Sequence, residues 1–139
     1  MVARIDNWQM ALSSELSKTR QFKWGKDDCC LFACDVIKAT TGIDPASSFR
    51  GKYETALGAY KELKRQGFEG IMDVADRQCA ANKWYPVPVL MAQRGDIVCA
   101  MFEGQESLGV MSDGFGVFVG ESGYVRIDAS NLIKAWKIS

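Results

Sequence analysis

The sequence contains no histidine. That removes the side chain that most often moves a proton near neutral pH, and the usual partner of a nucleophilic thiol. It has no net charge either: seventeen basic and seventeen acidic residues cancel, without a dense basic cluster. No overall field therefore draws nucleic acid or an anionic membrane. No apolar stretch approaches the ~20 residues of a membrane-spanning helix. The opening Met1-Val2-Ala3-Arg4-Ile5-Asp6 has no apolar signal core, so the chain is expected to be made and folded in a cytoplasm. Repeats and low-complexity segments are missing too. The five cysteines are odd in number, include no Cys-x-x-Cys pair, and crowd three into residues 29–34. Such usage fits reduced thiols better than a disulfide framework.

What is present is an ordinary globular composition, 47% hydrophobic and 24% charged, in 139 residues. That is enough for one domain whose core needs no staples. Asp6-Asn7-Trp8-Gln9 reads as a capping box with Gln9 reaching back, and Trp8, Leu12 and Leu16 then recur at helical spacing, predicting a helix from about 7 to 18. A second helix is expected from Cys29 to about Thr41, with Ala33, Val36, Ile37 and Thr40 inward and Gly42 as its stop. A loop through Ile43-Asp44-Pro45 leads to a third helix over roughly Glu54 to Gln66, with Leu57, Tyr60 and Leu63 inward. Ile71, Val74, Ala75 and Cys79 predict a short fourth.

The period then changes. Trp84-Tyr85-Pro86-Val87-Pro88 reads as a rigid extended linker, because each proline fixes its own backbone and restrains its neighbour's. Short β-type runs follow at Ile97–Phe102, Leu108–Met111, Gly116–Val119 and Tyr124–Ile127, separated by glycine turns at hairpin distances. Residues 129–136 read as either a last short helix or an edge strand. The expected fold class is α+β: a helical part over about 1–83 packed on an antiparallel sheet over about 94–139.

One stretch organises the chemistry. From Phe22 to Asp35 the chain passes through aromatics, a glycine and two aspartates into an apolar helical run. Asp27 or Asp28 is a natural N-cap, which puts Cys29 at the helix start, where the helix-end charge favours thiolate. A nucleophilic cysteine is placed this way; so is a small packing residue. Cys30 and Cys34 share a helical face and, with Cys79 and Cys99, could ligate metal or simply fill the core. Asp44, Arg50 and Tyr53 read first as a polar network under the loop and second as substrate contacts. Trp8, Trp84 and Trp136 read as core or groove-lining groups.

Trp24-Gly25 followed by Asp28-Cys29 at a helix head resembles the nucleophile segment of the NlpC-type cell-wall peptidases, a papain-like family. Gly95-Asp96-Ile97-Val98 resembles that family's Gly-Asp strand start, and Ser107-Leu108-Gly109-Val110 resembles its His-Val-Gly-Ile strand. Over nearly its full length the chain is similar to small phage-encoded relatives sharing Thr41-Gly42-Ile43-Asp44-Pro45, Arg50-Gly51-Lys52-Tyr53 and Ala135-Trp136 in order. The resemblance implies an NlpC-type fold with Cys29 at the nucleophile position, Asp28 as helix cap, and Trp24, Gly25, Arg50, Tyr53 and Asp96 as binding positions. It puts Ser107 where the family has histidine and Phe118 where it has a third polar residue. A serine hydroxyl has no useful basicity at neutral pH, and a phenylalanine orients nothing. Asp28 or Lys26 as a substitute base is the remaining option, but a carboxylate near pKa ~4 matches a thiol poorly.

The implied function is a catalytically degenerate module serving as a structural or binding component of a phage tail tip or tail assembly. The alternative is a peptidoglycan endopeptidase or amidase with Cys29 as nucleophile and a non-histidine base. The implied partners are other tail-tip or hub proteins and a peptidoglycan stem peptide. No cofactor, metal or nucleic acid is expected, and no membrane span. The implied location is the host bacterial cytoplasm during assembly and then the virion.

Overall fold

A computed structural model describes residues 3–139; Met1 and Val2, which open the segment read for a signal core, lie outside the described residues. Four helices come first: α1 (Trp8–Ser17), α2 (Cys29–Thr41), α3 (Ala56–Arg65) and α4 (Ile71–Ala81). Six strands follow: β1 (Pro86–Val87), β2 (Ile97–Phe102), β3 (Gln105–Met111), β4 (Phe115–Gly120), β5 (Gly123–Asp128) and β6 (Lys134–Trp136). They form one sheet in the order β1-β6-β2-β3-β4-β5, with every pairing antiparallel. The class is α+β, helices before sheet. No helix among the described residues is long and apolar enough to cross a membrane.

The helix α2 is the centre of the molecule. Nine of its thirteen residues are buried, Leu31, Phe32 and Val36 completely, so it has no solvent face of consequence. A helix apolar nearly all round must be covered on all sides. It packs against α1 and against β3 and β4, where Leu108, Val110, Val117 and Val119 meet it. Alternation along the strands sends Val98, Ala100, Phe118 and Ala135 to the opposite sheet face, where they form a smaller core with Met111 and Leu132. Gly109 on β3 is required there: a Cβ would meet the Phe118 ring at 2.8 Å. Asp96, buried at the start of β2, accepts from Arg4 Nη2 (2.9 Å), the Gln93 amide (2.8 Å) and the Ile138 amide (3.0 Å). It thereby ties the N-terminal arm and the C-terminal tail to one strand end.

Several expectations change. The α1 capping box does not form: the cap is Asn7, and its side chain makes no capping bond. In α3 the inward stripe is Gly58, Ala59, Glu62, Leu63 and Gln66, so Leu57 and Tyr60 face solvent at 62% and 57% exposure. The small Gly58 lets the helix approach Tyr53, while Gln66 Nε2 donates to the Ser48 carbonyl at 2.9 Å. Those contacts rotate the helix by one residue from the apolar pattern. The proline linker contains β1, an edge strand paired to β6. Residues 129–136 divide into a 3-10 turn (Ala129–Asn131) and β6, which is interior to the sheet, between β1 and β2.

The helical layer is held by a buried guanidinium. Arg20, 7% exposed, reaches Glu15 at 2.8 Å, Asp27 at 3.1 Å and Asp35 at 2.8 Å, and lies over the Phe32 ring. Asp35 also takes Arg50 at 2.7 Å, and Arg50 takes Asp44 at 2.8 Å, so the chain of charges runs from α1 through α2 into the loop beyond. Losing Arg20 removes charged hydrogen bonds from Glu15, Asp27 and Asp35, which are partly buried and two of which keep Lys18 or Arg50; a hydrogen bond to a charged group contributes about 1.5–3 kcal/mol. Arg20→Met is therefore expected to lower unfolding free energy by that amount in urea titrations, while Arg50→Met, a more exposed position, should cost clearly less.

Candidate functional site

The site begins with Asp28. Its extended backbone and short carboxylate make it the N-cap of α2, with Oδ1 accepting the Leu31 amide at 3.0 Å. Oδ2 accepts the Gly25 amide at 3.0 Å and the Tyr53 hydroxyl at 2.6 Å. Gly25 turns at φ 80°, and a Cβ there would collide with the Tyr53 carbonyl oxygen, so only glycine lets the Trp24 turn lie against Tyr53. Asp28 is 1% exposed, and both its oxygens are occupied. It fixes the helix start and is not disposed to act as a base. Lys26 is exposed on the loop outside the cleft lining.

Cys29, the first residue of α2, is half-buried and lines a cleft of about 220 Å³ with Ser107, Trp24 and Phe22. The Leu108 amide and the Ser107 hydroxyl lie near its sulfur and favour the charged form. The Leu108 amide is available because β3 and β4 pair only at Val110–Val117 and Met111–Gly116 and then diverge, although β3 starts at Gln105 and β4 continues to Gly120. The Met111 amide bonds back to Asp96, so alternation turns Leu108 and Val110 toward β4. With β4 gone, Leu108 meets the thiol.

The helix start does not lower the Cys29 pKa. Burial pushes the Cys29 thiol up to about 12, with Cys30 and the Asp28 carboxylate adding in the same direction and the Leu108 and Ser107 donors only partly offsetting it. Helix-end stabilisation of about 0.3–1 kcal/mol is too small to reverse that. Phe118 is likewise not at the site: it faces the second core, and its neighbour Val119 lines the cleft. A one-residue step along a strand moves a side chain to the other face.

Of the binding positions read from the sequence, only Trp24 lines the cleft. Gly25 and Tyr53 support Asp28 from behind, Arg50 is engaged by Asp35 and Asp44, and Asp96 clamps the chain ends. Cys30, Cys34 and Cys79 line a separate apolar void of about 20 Å³, and Cys99 is fully buried on β2. Among the described residues no three His, Cys, Asp or Glu side chains gather as a metal would need. Trp84 and Trp136 are core residues; Trp136 Nε1 donates to Asp76 at 2.9 Å. What the sequence reading missed is much of the rest of the lining, above all Phe102, Glu103, Glu106 and Glu121. The one available signal was Glu103-Gly104, a two-residue hairpin turn with a glutamate in its first position.

The family described as "Domain of unknown function (DUF6950)" matches the chain over residues 3–138. No curated protein and no solved structure matches it.

Buried thiols give the fold a definite alkaline limit. Burial pushes Cys79 and Cys99, like Cys29, up to about 12, against an ordinary value near ~8.5 in the unfolded chain. The folded-state values are raised, so their contribution is complete below ~8.5 and is lost as pH climbs toward 12, at up to ~1.4 kcal/mol per pH unit for each thiol. Urea midpoints should be level from roughly pH 6 to 8 and fall above roughly pH 9. Cys99→Ala should make that alkaline slope shallower.

Proposed function

The chain belongs to the DUF6950 family, and we propose that it is a catalytically silent, papain-like module of the NlpC type, serving as a structural component of a phage tail tip or tail assembly. The observation that carries the silent reading is the group standing against the Cys29 sulfur: a serine hydroxyl, in a chain without histidine.

Hydrolysis by a cysteine asks for a thiolate, a proton donor for the leaving amine, and a group orienting the base. With the thiol pushed up by burial, little of it is ionised at pH 7. Ser107 can donate a hydrogen bond but cannot take the thiol proton. Val119, which lines the same cleft from β4, is apolar and could orient no base. Asp28 is engaged three times over. A positioned acid–base group contributes on the order of 10²–10⁴-fold in rate, so its loss alone is severe.

The papain-like assignment is supported by the order of parts: a cysteine at the N-terminus of a buried helix, laid against an antiparallel sheet whose Ser107-Leu108-Gly109-Val110 strand meets it. The placement in a phage tail is drawn from the ordered motifs along the sequence. A cleft that is retained while its chemistry is absent fits a module that binds.

Muropeptide analysis of peptidoglycan incubated with the purified chain tests this. No product above the no-protein control is expected, and a phage carrying Cys29→Ser should assemble at undiminished titre. Cys29-dependent release would overturn the silent reading in favour of a hydrolase with a non-histidine base. Ser107→His should raise the rate of Cys29 alkylation by iodoacetamide at pH 7; an unchanged rate would count against Ser107 standing at the base position.

A further inference from the structure

We propose that the cleft beside Cys29 receives a lysine or arginine side chain carried on an extended segment of a partner polypeptide. This deepens the binding role proposed above and rests on it.

Charge is the first ground. Glu103, Glu106 and Glu121 all line the cleft, and no lysine or arginine does; Lys23 and Lys26, exposed on the neighbouring loop, stay outside it. Glu106 is half-buried, Glu103 and Glu121 stand exposed at the rim, and none of the three is in an ion pair, whereas most half-buried carboxylates of the helical layer are. Their one hydrogen-bond partner among the described residues is the Met72 amide, 3.3 Å from Glu106 Oε1. In a chain with as many cations as anions, this cleft holds negative charge with no counter-charge of its own.

The second ground is the wall. Phe22, Trp24 and Phe102 line the same cleft, and Phe22 meets Trp24 edge-on at 4.8 Å, which fixes how the indole stands. Aromatic faces and carboxylates around one concavity attract a cation by ring quadrupole and by charge together. A solvated acidic rim would not need the rings. Glu103 sits at φ 51° in the β2–β3 turn, where asparagine, aspartate or glycine fits with less strain.

The third ground selects a polypeptide over a free amine. β3 and β4 are not paired beyond Val110–Val117 and Met111–Gly116, so Gln105, Glu106 and Ser107 border the cleft on a strand edge without a β4 partner, a place where an extended main chain could lie. At about 220 Å³ the cleft is smaller than the ~300–1,000 Å³ of sites for drug-sized ligands, a scale that suits one long side chain.

Nitrogen–proton NMR titration of the full chain with acetyl-Ala-Lys-Ala-amide, its arginine and norleucine counterparts, and butylammonium tests this. The lysine and arginine peptides should shift the Trp24 indole and the Ser107 and Gly120 amides, binding at least about tenfold more tightly than norleucine. The double variant Glu106→Gln/Glu121→Gln should lose about tenfold for lysine and nothing for norleucine, with its unfolding midpoint checking that it remains folded. Added salt should weaken only the charged peptides. Equal responses to lysine and norleucine, or no shift at the cleft with any probe, would overturn the proposal. Butylammonium binding as tightly as the lysine peptide would assign a free-amine site instead. Tighter binding of a lysine-containing stem peptide would assign the cleft to cell wall rather than a protein partner. All these readouts register binding whether or not a bond is cut, so muropeptide release would overturn the silent reading separately.

Discussion

The Asp28 carboxylate stands between three donors that come from three different parts of the chain: the Leu31 amide in the helix it caps, the Gly25 amide in the turn before it, and the Tyr53 hydroxyl from the loop beyond α2. A hydrogen bond to a charged group contributes about 1.5–3 kcal/mol, and an unsatisfied carboxylate at 1% exposure would cost more than any of these gains. The turn that presents Trp24, the start of α2 and the position of Cys29 are therefore set together. Loosening any one donor would move the others.

The same geometry works against ionisation of the cysteine. A helix start offers a thiolate a few tenths of a kcal/mol to about 1 kcal/mol, whereas burial raises the thiol's pKa and the neighbouring Cys30 and Asp28 add to that rise. The cap that positions the sulfur is itself a negative charge next to it. An active site of this design depends on a cation to offset both effects, and the chain has no histidine to supply one. The nearby Ser107 and Leu108 amide favour the thiolate but carry no charge.

Charge is distributed unevenly between the two halves of the molecule. In the helical layer acids and bases are matched closely, with Arg20 and Arg50 linking Glu15, Asp27, Asp35 and Asp44. At the cleft, where the β2–β3 hairpin and the end of β4 meet the α2 start, three glutamates stand without a base. Half-buried charges of the helical layer are neutralised within the chain, and the three glutamates of the cleft are not.

Local signals in the sequence determined a good deal. Gly42 at φ 83° ends α2, Asp28 caps it, and Ala33, Val36 and Ile37 are buried along it, because caps, stops and apolar periodicity act within a few residues. The bounds of β2 and the cores of the later strands follow from alternation in the same way, and the absence of histidine needs no structure to be seen. Tertiary structure decided whatever depended on partners distant in sequence. The α3 face turned by one residue because Gly58 and Gln66 found Tyr53 and Ser48, and β6 entered the sheet because β1 and β2 were both there to pair with it. Phe118 went to the second core because strand parity, not chemical need, sets the face. The glutamate cleft was legible in no single segment: Glu103, Glu106 and Glu121 converge only where β3 and β4 part, and a separation between strands leaves no mark in the local pattern of either.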